Sequence, residues 1–152
     1  MSLDRLQKCT GRGMSVMIGT VDADGVPSCC RGIALSTKDN FDTITVYVPA
    51  ATSQETLANV ATTRRVAVVC TEPLSHDSVQ IKGVTRGVRI APAEEQAFVV
   101  DRLEGFADAL MDFGLPRRVT LSMAHWPAFA IDLSVEQVFE QTPGPKAGTQ
   151  IS

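Results

Sequence analysis

Short segments of alternating apolar and polar residues constrain this chain more than any other feature of its sequence. In Thr43–Val48 the side chains of Ile44, Val46 and Val48 fall on one face, because successive strand residues point to opposite sides. Ala128–Phe139 alternates in the same way. A strand with one apolar face has to cover that face with a second layer or curl it around a core. The pattern therefore favours antiparallel β structure.

The same signals predict four further strands. Met14–Val21 is followed by a turn at Asp22–Gly25 and a returning strand at Val26–Leu35, which together predict a hairpin. Arg64–Cys70 is a short strand and Ser78–Ile90 a long one.

The long strand changes phase near its centre. Val79 and Ile81 share one face, whereas the apolar residues beyond Gly83 have the opposite parity. A β-bulge inserts one extra residue and would restore a common face. We therefore predict a bulge at or near Gly83.

Two helical segments interrupt the strands, at about residues 53–62 and about residues 92–113. The second begins with Pro92, which suits the first helical position, and continues with apolar residues at helical spacing. Gly114 is a typical helix terminator. We interpret residues 117–126 as a further short helix.

Six strands with two or three helices predict a small antiparallel barrel, which leaves few sheet edges exposed. The 152 residues are enough for one domain with a substantial core. We predict one domain over residues 1–140 and a Pro/Gly-rich extended tail over residues 141–152.

Composition and charge exclude several classes of protein. The net charge is −3 and the charges are scattered, so no nucleic-acid partner is expected. No apolar run reaches the roughly 20 residues of a membrane span, and the N-terminus lacks the apolar region of a signal peptide. The four cysteines show neither C-x-x-C nor metal-ligand spacing. We expect reduced, mostly buried thiols, no metal and a cytoplasmic location.

The segment after the strand Thr43–Val48 has two interpretations. Thr52 and Glu55 are spaced as in a capping box, in which a threonine caps the helix and a glutamate reaches back. The same helix start offers free backbone N–H groups that can bind phosphate. The sequence alone leaves both open.

Arg31 is the most informative charged residue. It shares the apolar face of its predicted strand with Ile33 and Leu35. A guanidinium on such a face is costly without an anionic partner. That partner is either a carboxylate such as Asp132 or Glu55, or a phosphate, which arginine binds through two parallel hydrogen bonds.

Three other residues are candidate ligand contacts. Gln80 and Lys82 share one face of the long strand; each is either a solvated side chain or a ligand contact, and a glutamine amide can read a heterocycle. Trp126, the only tryptophan, packs in a core or interface, or in a dimer covers a flat ligand. No nucleophile elbow, zinc-protease, P-loop or dinucleotide motif occurs.

The order of these segments resembles the pyridoxamine 5′-phosphate oxidase-like, FMN-binding split-barrel superfamily. The resemblance runs from about residue 14 to residue 139 and is carried by a hairpin followed by "VYVPAATS", "QETLANV", "RRVAVVC" and "SVQIKG". It implies a mainly β fold, a six-stranded antiparallel split barrel with Greek-key features. It also implies a homodimer with FMN in the subunit interface.

The resemblance also implies roles for particular residues. Arg31 corresponds to a phosphate-binding arginine, and Gln80 to the flavin-contacting glutamine of a Q-x-x-G segment. The backbone of residues 47–49 would run beside the flavin ring, and the helix start would face the phosphate. The cofactor-binding candidates are therefore Arg31, Tyr47, Val48, Pro49, Thr52, Ser53 and Gln80, with Lys82 and Trp126 added from their positions.

The sequence departs from the superfamily pattern at the phosphate. Many members carry a cation in the helix-start segment, where this chain has residues 53–56, and a lysine where it has Ser36. The loss predicts weaker FMN binding unless Arg64 or Arg65 compensates. The tail lacks the arginine-containing substrate segment of the authentic oxidase, so oxidation of pyridoxamine phosphate is not expected.

Three functions are consistent with these features. The first is an FMN-dependent oxidoreductase acting on a small organic substrate. The second is a module that holds a flavin, a deazaflavin or haem without turnover. The third is a cofactor-free dimeric domain.

Overall fold

One antiparallel sheet of seven strands, curled into a split barrel, carries the fold. The structure, a computed structural model, describes residues 2–38 and 41–151. In chain order the strands are β1 (Ser15–Val21), β2 (Pro27–Gly32), β3 (Ala34–Thr37), β4 (Thr43–Pro49), β5 (Arg65–Thr71), β6 (Ser78–Ile90) and β7 (Ala128–Glu140). Their order across the sheet is β2-β1-β5-β6-β7-β4-β3.

The prediction of six strands is wrong because the predicted strand Val26–Leu35 is two strands. The chain leaves β2 at Gly32 and enters β3 at Ala34, at the opposite edge of the sheet. Between them the Ile33 N–H donates to the carbonyl of Tyr47 at 2.9 Å. A side chain on Gly32 would collide with a neighbouring valine, so glycine permits the close passage.

This crossing separates residues that the sequence placed on one face. Leu35 is fully buried in the barrel interior, whereas Arg31 is only half-buried. The expectation that Arg31 shares a core-facing side with Leu35 is therefore wrong, because the strand does not continue through Ile33.

Four helices flank the sheet, where two or three were predicted. They are α1 (Ser2–Cys9), α2 (Gln54–Thr63), α3 (Gln96–Met111) and α4 (Arg117–Leu121), and single 3-10 turns at Ala50–Thr52 and Ala93–Glu95 precede α2 and α3. The prediction missed α1, whose buried apolar residues are only Leu6 and Cys9, too few for a periodic signal. None of the helices in the described part of the chain has the length and apolar character needed to cross a bilayer.

The barrel interior is filled by one face of the strands. Along β1 the residues alternate between buried and half-buried, as the sequence pattern requires. The largest interior side chains are fully buried and come from most of the strands: Ile18, Leu35, Ile44, Val68, Ile81, Ile131 and Leu133. A second, smaller cluster joins the outer face of β3, β4 and β7 to α3.

The bulge predicted in β6 at or near Gly83 is confirmed, with Arg86 as its extra residue, whereas at Gly83 itself the extra residue is Glu136 of β7. The register of β6 against β7 shifts between Lys82 and Gly83, and again between Thr85 and Gly87. Beyond Arg86, Val88 pairs with Ile131 and Ile90 with Phe129, which lie on the interior face of β7. The predicted common face is therefore confirmed by the register, although Val88 and Ile90 are 42% and 70% exposed at this end of the strand.

The segment after β7, predicted to be an extended tail, turns back on the barrel. The N–H of Glu140 donates to the carbonyl of Thr149 at 2.9 Å, and that of Ile151 to Val138 at 2.8 Å. Ile151 packs against the barrel core. Gly144 and Gly148 have positive φ angles, which allow the chain to reverse.

Gly83→Ala should destabilise the fold strongly. A Cβ at this bulge would overlap the backbone carbonyl of Ser134, which cannot move without breaking the β6–β7 ladder. We expect a loss of at least about 2 kcal/mol in the free energy of unfolding, measured by denaturant titration. Gly87→Ala is the matched control, because a Cβ there meets nothing. Equal losses in both variants would contradict this close packing at the bulge.

Candidate functional site

An open pocket of about 410 Å³ lies where β2, the end of β4 and the loop after α4 meet. It is lined by Cys29, Cys30, Arg31, Pro49, Thr52, Met123 and Ala124. The pocket brings together three residues predicted from the sequence to bind a cofactor, namely Arg31, Pro49 and Thr52. Arg31 comes from β2, whereas Pro49 and Thr52 come from the end of β4 and the turn that follows it.

Arg31 has polar and aromatic neighbours but no anion. Its Nη1 donates to the Ser15 hydroxyl at 3.3 Å, and its guanidinium lies 5.4 Å from the ring centroid of Phe106. Within residues 2–38 and 41–151 it forms no ion pair. The guanidinium thus keeps most of its N–H donors for another group.

The two carboxylates considered as partners lie elsewhere. Asp132 accepts a hydrogen bond from the Thr45 hydroxyl at 2.6 Å and lies 3.9 Å from Nε of Arg89. Glu55 is exposed on α2 and does not line the pocket. The carboxylate interpretation of Arg31 is therefore wrong for these two residues.

The predicted capping box is also wrong. Thr52 ends the 3-10 turn, so Ser53 becomes the N-cap of α2, and neither side chain caps the helix. Gln54, in the segment where many superfamily members carry a cation, instead donates from Nε2 to the carbonyls of Ala50 and Ala51. The extra turn moves the helix start one residue beyond the position that the capping box requires.

Ser53 is fully buried at this helix start. Its hydroxyl has no hydrogen-bond partner among the described residues. It does not line the open pocket, which Thr52 reaches from the exposed side of the 3-10 turn.

A buried polar cluster fixes α2 against β1 and β2. The Asn59 side-chain amide donates to the hydroxyls of Thr20 at 3.1 Å and Ser28 at 2.9 Å. One turn later the Thr63 hydroxyl donates to the carbonyl of Val21 at 2.9 Å. These bonds hold the middle and the end of α2 against the hairpin of β1 and β2. They were not predicted from the sequence, although an asparagine on the apolar side of a helix is a signal for such a cluster.

Tyr47 and Val48 place their side chains away from the pocket. Val48 is fully buried in the barrel interior, and Tyr47 lies on the outer face beneath α3, with its ring 5.7 Å from that of Phe98. Burial raises the pKa of Tyr47, and a hydrogen bond with Glu95 raises this pKa further. Neither residue lines the Arg31 pocket, so the contact of their backbone with a flavin stays a prediction from the resemblance.

Gln80 lies on the same side of the sheet as Arg31, but far from it. Gln80 pairs with Val69, Val69 with Met17, and Met17 with Arg31. Residues paired across a sheet point to the same face. Neighbouring strands are about 4.8 Å apart, so about 14 Å separates the two backbones.

The structure gives Gln80 and Lys82 partners on the neighbouring segments. Gln80 accepts a hydrogen bond from the Gln141 amide at 3.3 Å, and the Lys82 ammonium lies 4.7 Å from the ring centroid of Phe139. Within one chain neither residue joins the Arg31 pocket.

Trp126 is partly buried against the cluster beneath α3. It follows two pocket residues, Met123 and Ala124, but does not itself line the pocket.

In the described part of the chain, no second cationic side chain lies at the Arg31 pocket to replace the cations that this sequence lacks. Arg64 caps the far end of α2, about 15 Å from its start for a helix of ten residues. Arg65 is exposed at the beginning of β5. Ser36 pairs with Thr45 and does not line the pocket either. Arg31 is therefore the one cationic side chain among the pocket-lining residues.

Two cysteines line the pocket, which the sequence did not predict. Cys29 is exposed, whereas Cys30 is half-buried, and burial raises the pKa of its thiol. Cys9 and Cys70 are buried in the core. Among the described residues no group of three His, Cys, Asp or Glu side chains is arranged to hold a metal ion.

Solved structures share this architecture at low sequence identity. An FMN-binding protein from Syntrophomonas wolfei has a TM-score of 0.57 at 11% identity, over 90% of this chain and 84% of that one. A Clostridium acetobutylicum protein of the pyridoxinephosphate oxidase family has a TM-score of 0.53 at 11% identity, over 90% and 82%. The chain has the split-barrel fold of these two proteins. The resemblance seen in the sequence is confirmed for the fold.

The same split-barrel fold occurs in HupZ from Group A Streptococcus, with a TM-score of 0.55 at 16% identity over 96% of this chain and 95% of that one. No protein-family model matches the sequence, and comparison with curated proteins gives no match. At these identities the likeness establishes the split-barrel fold, and the site rests on the residues of this chain.

Tyr47 offers a direct test of the packing beside the site, because it is the only tyrosine. Its raised pKa means that the folded state holds the phenolic proton more tightly than the unfolded state does. Absorbance at alkaline pH should therefore show one tyrosine ionising above its ordinary value of 10.0. The free energy of unfolding should fall as pH rises through this range, and Tyr47→Phe should remove that part of the fall. Ionisation at the ordinary value would contradict burial of the hydroxyl.

Proposed function

We propose that the protein binds FMN and acts as a flavin-dependent oxidoreductase on a small organic substrate. The observation that carries this proposal is the unpaired guanidinium of Arg31 in an open pocket beside the start of α2. A half-buried guanidinium without a carboxylate partner is what a phosphate-binding site needs.

Arg31 and the helix start would bind the phosphate together. Arginine presents parallel N–H donors that match phosphate oxygens, and the Thr52 hydroxyl lines the same pocket. The first backbone N–H groups of α2 add partial positive charge. Because a phosphate monoester carries nearly two negative charges at neutral pH, one arginine leaves it partly unneutralised. We therefore expect moderate affinity.

The pocket needs no catalytic dyad for this function. When bound, flavin supplies hydride or electron transfer, and the protein contributes binding and orientation. Met123 and Ala124 border the pocket from the loop after α4 and would limit access of water to the ligand. Cys30 stays a neutral thiol at pH 7 because burial raises its pKa.

We further propose that the functional unit is a homodimer. Gln80 is too far from Arg31 to join its pocket within one chain, but Gln80 of a second copy has no such limit. The exposed Ile90 at the end of β6 offers apolar surface for such a contact. Sedimentation equilibrium should give twice the 16.3 kDa chain mass. A monomer at micromolar concentration would contradict this part of the proposal.

The absorbance spectrum of freshly purified protein tests the cofactor. We expect flavin bands, and reduction of the bound flavin by NADH or NADPH would support the oxidoreductase. Flavin that no reductant or substrate turns over would indicate a binding module instead. A Soret band would indicate haem and contradict FMN.

Arg31→Ala should weaken FMN binding by about 1.5–3 kcal/mol, which is roughly a 10- to 150-fold rise in Kd. Flavin fluorescence quenching measures this directly. Arg31→Lys should recover part of the affinity, because it keeps the charge but loses the paired donors. Arg118→Ala, on exposed α4, is the charge-matched control and should leave Kd unchanged. An unchanged Kd for Arg31→Ala would remove Arg31 from the site.

Bound FMN should also protect Cys29 from alkylation. Cys29 is the exposed thiol and lines the Arg31 pocket, whereas Cys9 and Cys70 are buried. Iodoacetamide labelling followed by peptide mass spectrometry should show slower modification of Cys29 at saturating FMN. Riboflavin, which lacks the phosphate, should protect less at equal concentration. Equal labelling rates with and without FMN would place the ligand outside this pocket.

A further inference from the structure

A second open pocket, of about 340 Å³, lies at the other end of α2. It is formed by one side of the helix from Leu57 to Arg64 and by the segment of β6 that contains the second register shift. The two pockets share no lining residue. The pocket plays no part in the proposed flavin site.

Two arginines give this pocket its charge. Arg64 donates from Nε and Nη2 to the carbonyl of Thr85 at 3.2 and 2.8 Å, which holds the guanidinium in place and leaves Nη1 available. Arg86 contacts the Ser134 hydroxyl through Nε. Neither guanidinium forms an ion pair within the described residues, and no acidic side chain lines the pocket.

The rest of the wall is mainly apolar. Leu57 and Val60 contribute from α2, and Val88, which is 42% exposed, contributes from β6. Thr85 also lines the pocket, and its buried hydroxyl has no hydrogen-bond partner among the described residues. An apolar wall with a few polar or charged groups is the usual composition of a small-molecule site.

We propose that this pocket binds an aliphatic carboxylate. The carboxylate lies between the guanidiniums of Arg64 and Arg86, and the hydrocarbon chain packs against Leu57, Val60 and Val88. Arginine pairs with carboxylate through parallel hydrogen bonds, and contact with the aliphatic side chains removes the hydrocarbon from water.

The position favours a single negative charge over two. The C-terminal end of a helix carries about half a negative charge, which opposes an anion more strongly as its charge rises. For a carboxylate, attraction to the two positive charges of the arginines exceeds repulsion by the partial negative charge of the helix end. A phosphate dianion faces twice the repulsion and, with its larger hydration, gains less from the apolar wall.

Octanoate is the probe that tests the proposal, with butyrate and 1-octanol as comparisons. Isothermal titration of the full chain measures Kd, and amide shifts in ¹H–¹⁵N spectra locate the ligand. We expect octanoate to shift the amides of Thr85 and Gly87 and to bind at least tenfold more tightly than butyrate and 1-octanol. Arg86→Gln should weaken octanoate about fivefold, in line with an exposed charge pair.

Matched variants separate this site from the flavin site and from loss of folding. Arg65→Gln removes the neighbouring exposed arginine, which does not line the pocket, and should leave the octanoate Kd unchanged. Arg31→Ala should also leave it unchanged. Arg86→Gln is preferred to a change at Arg64 because Arg64 holds the Thr85 carbonyl.

Three results would overturn the proposal. The first is that the wild-type chain shows no binding at octanoate concentrations on the order of 10 mM. The second is that octanoate binds no more tightly than butyrate or no more tightly than 1-octanol. The site would then not recognise both the hydrocarbon chain and the carboxylate of the ligand. The third is an octanoate Kd that Arg86→Gln leaves unchanged.

Discussion

The crossing of the chain at Ile33 is the constraint on which the rest of the structure depends. β2 and β3 are separated by one residue but lie at opposite edges of the sheet order, so the two edges have to approach each other. The hydrogen bond from Ile33 to the carbonyl of Tyr47 fixes this approach beside the end of β4. The Arg31 pocket forms where these two edges meet, because Arg31 lies near the end of β2 and Pro49 lies at the end of β4.

The meeting of the two sheet edges explains how an arginine can be half-buried without a carboxylate. Arg31 packs against Phe106 of α3 and donates to Ser15, which accounts for part of its surface and one of its donors. The polar cluster around Asn59 fixes α2 against β1 and β2. Thr52, in the turn before α2, lines the same pocket as Arg31. Both features favour an anion, and the described residues supply none there. This agreement is the physical basis of the proposed phosphate site.

Much of the fold could be predicted from the sequence, because strand alternation and the change of phase near Gly83 are local signals. The division at Ile33 could not, since glycine and isoleucine continue the apparent strand and the crossing depends on contact with the distant Tyr47. The helix start shows the same limit: the Thr52–Glu55 spacing fits a capping box, but the 3-10 turn shifts the N-cap to Ser53. Arg31 was recognised from its cost in an apolar setting, while Cys29 and Met123 joined the pocket only through tertiary packing.

A crystal structure of the protein with FMN tests the central claim most directly. We predict that the phosphate lies within hydrogen-bond distance of the Arg31 guanidinium, bordered by Thr52 and the start of α2. A flavin bound elsewhere, with Arg31 paired to a carboxylate of the protein, would contradict this claim.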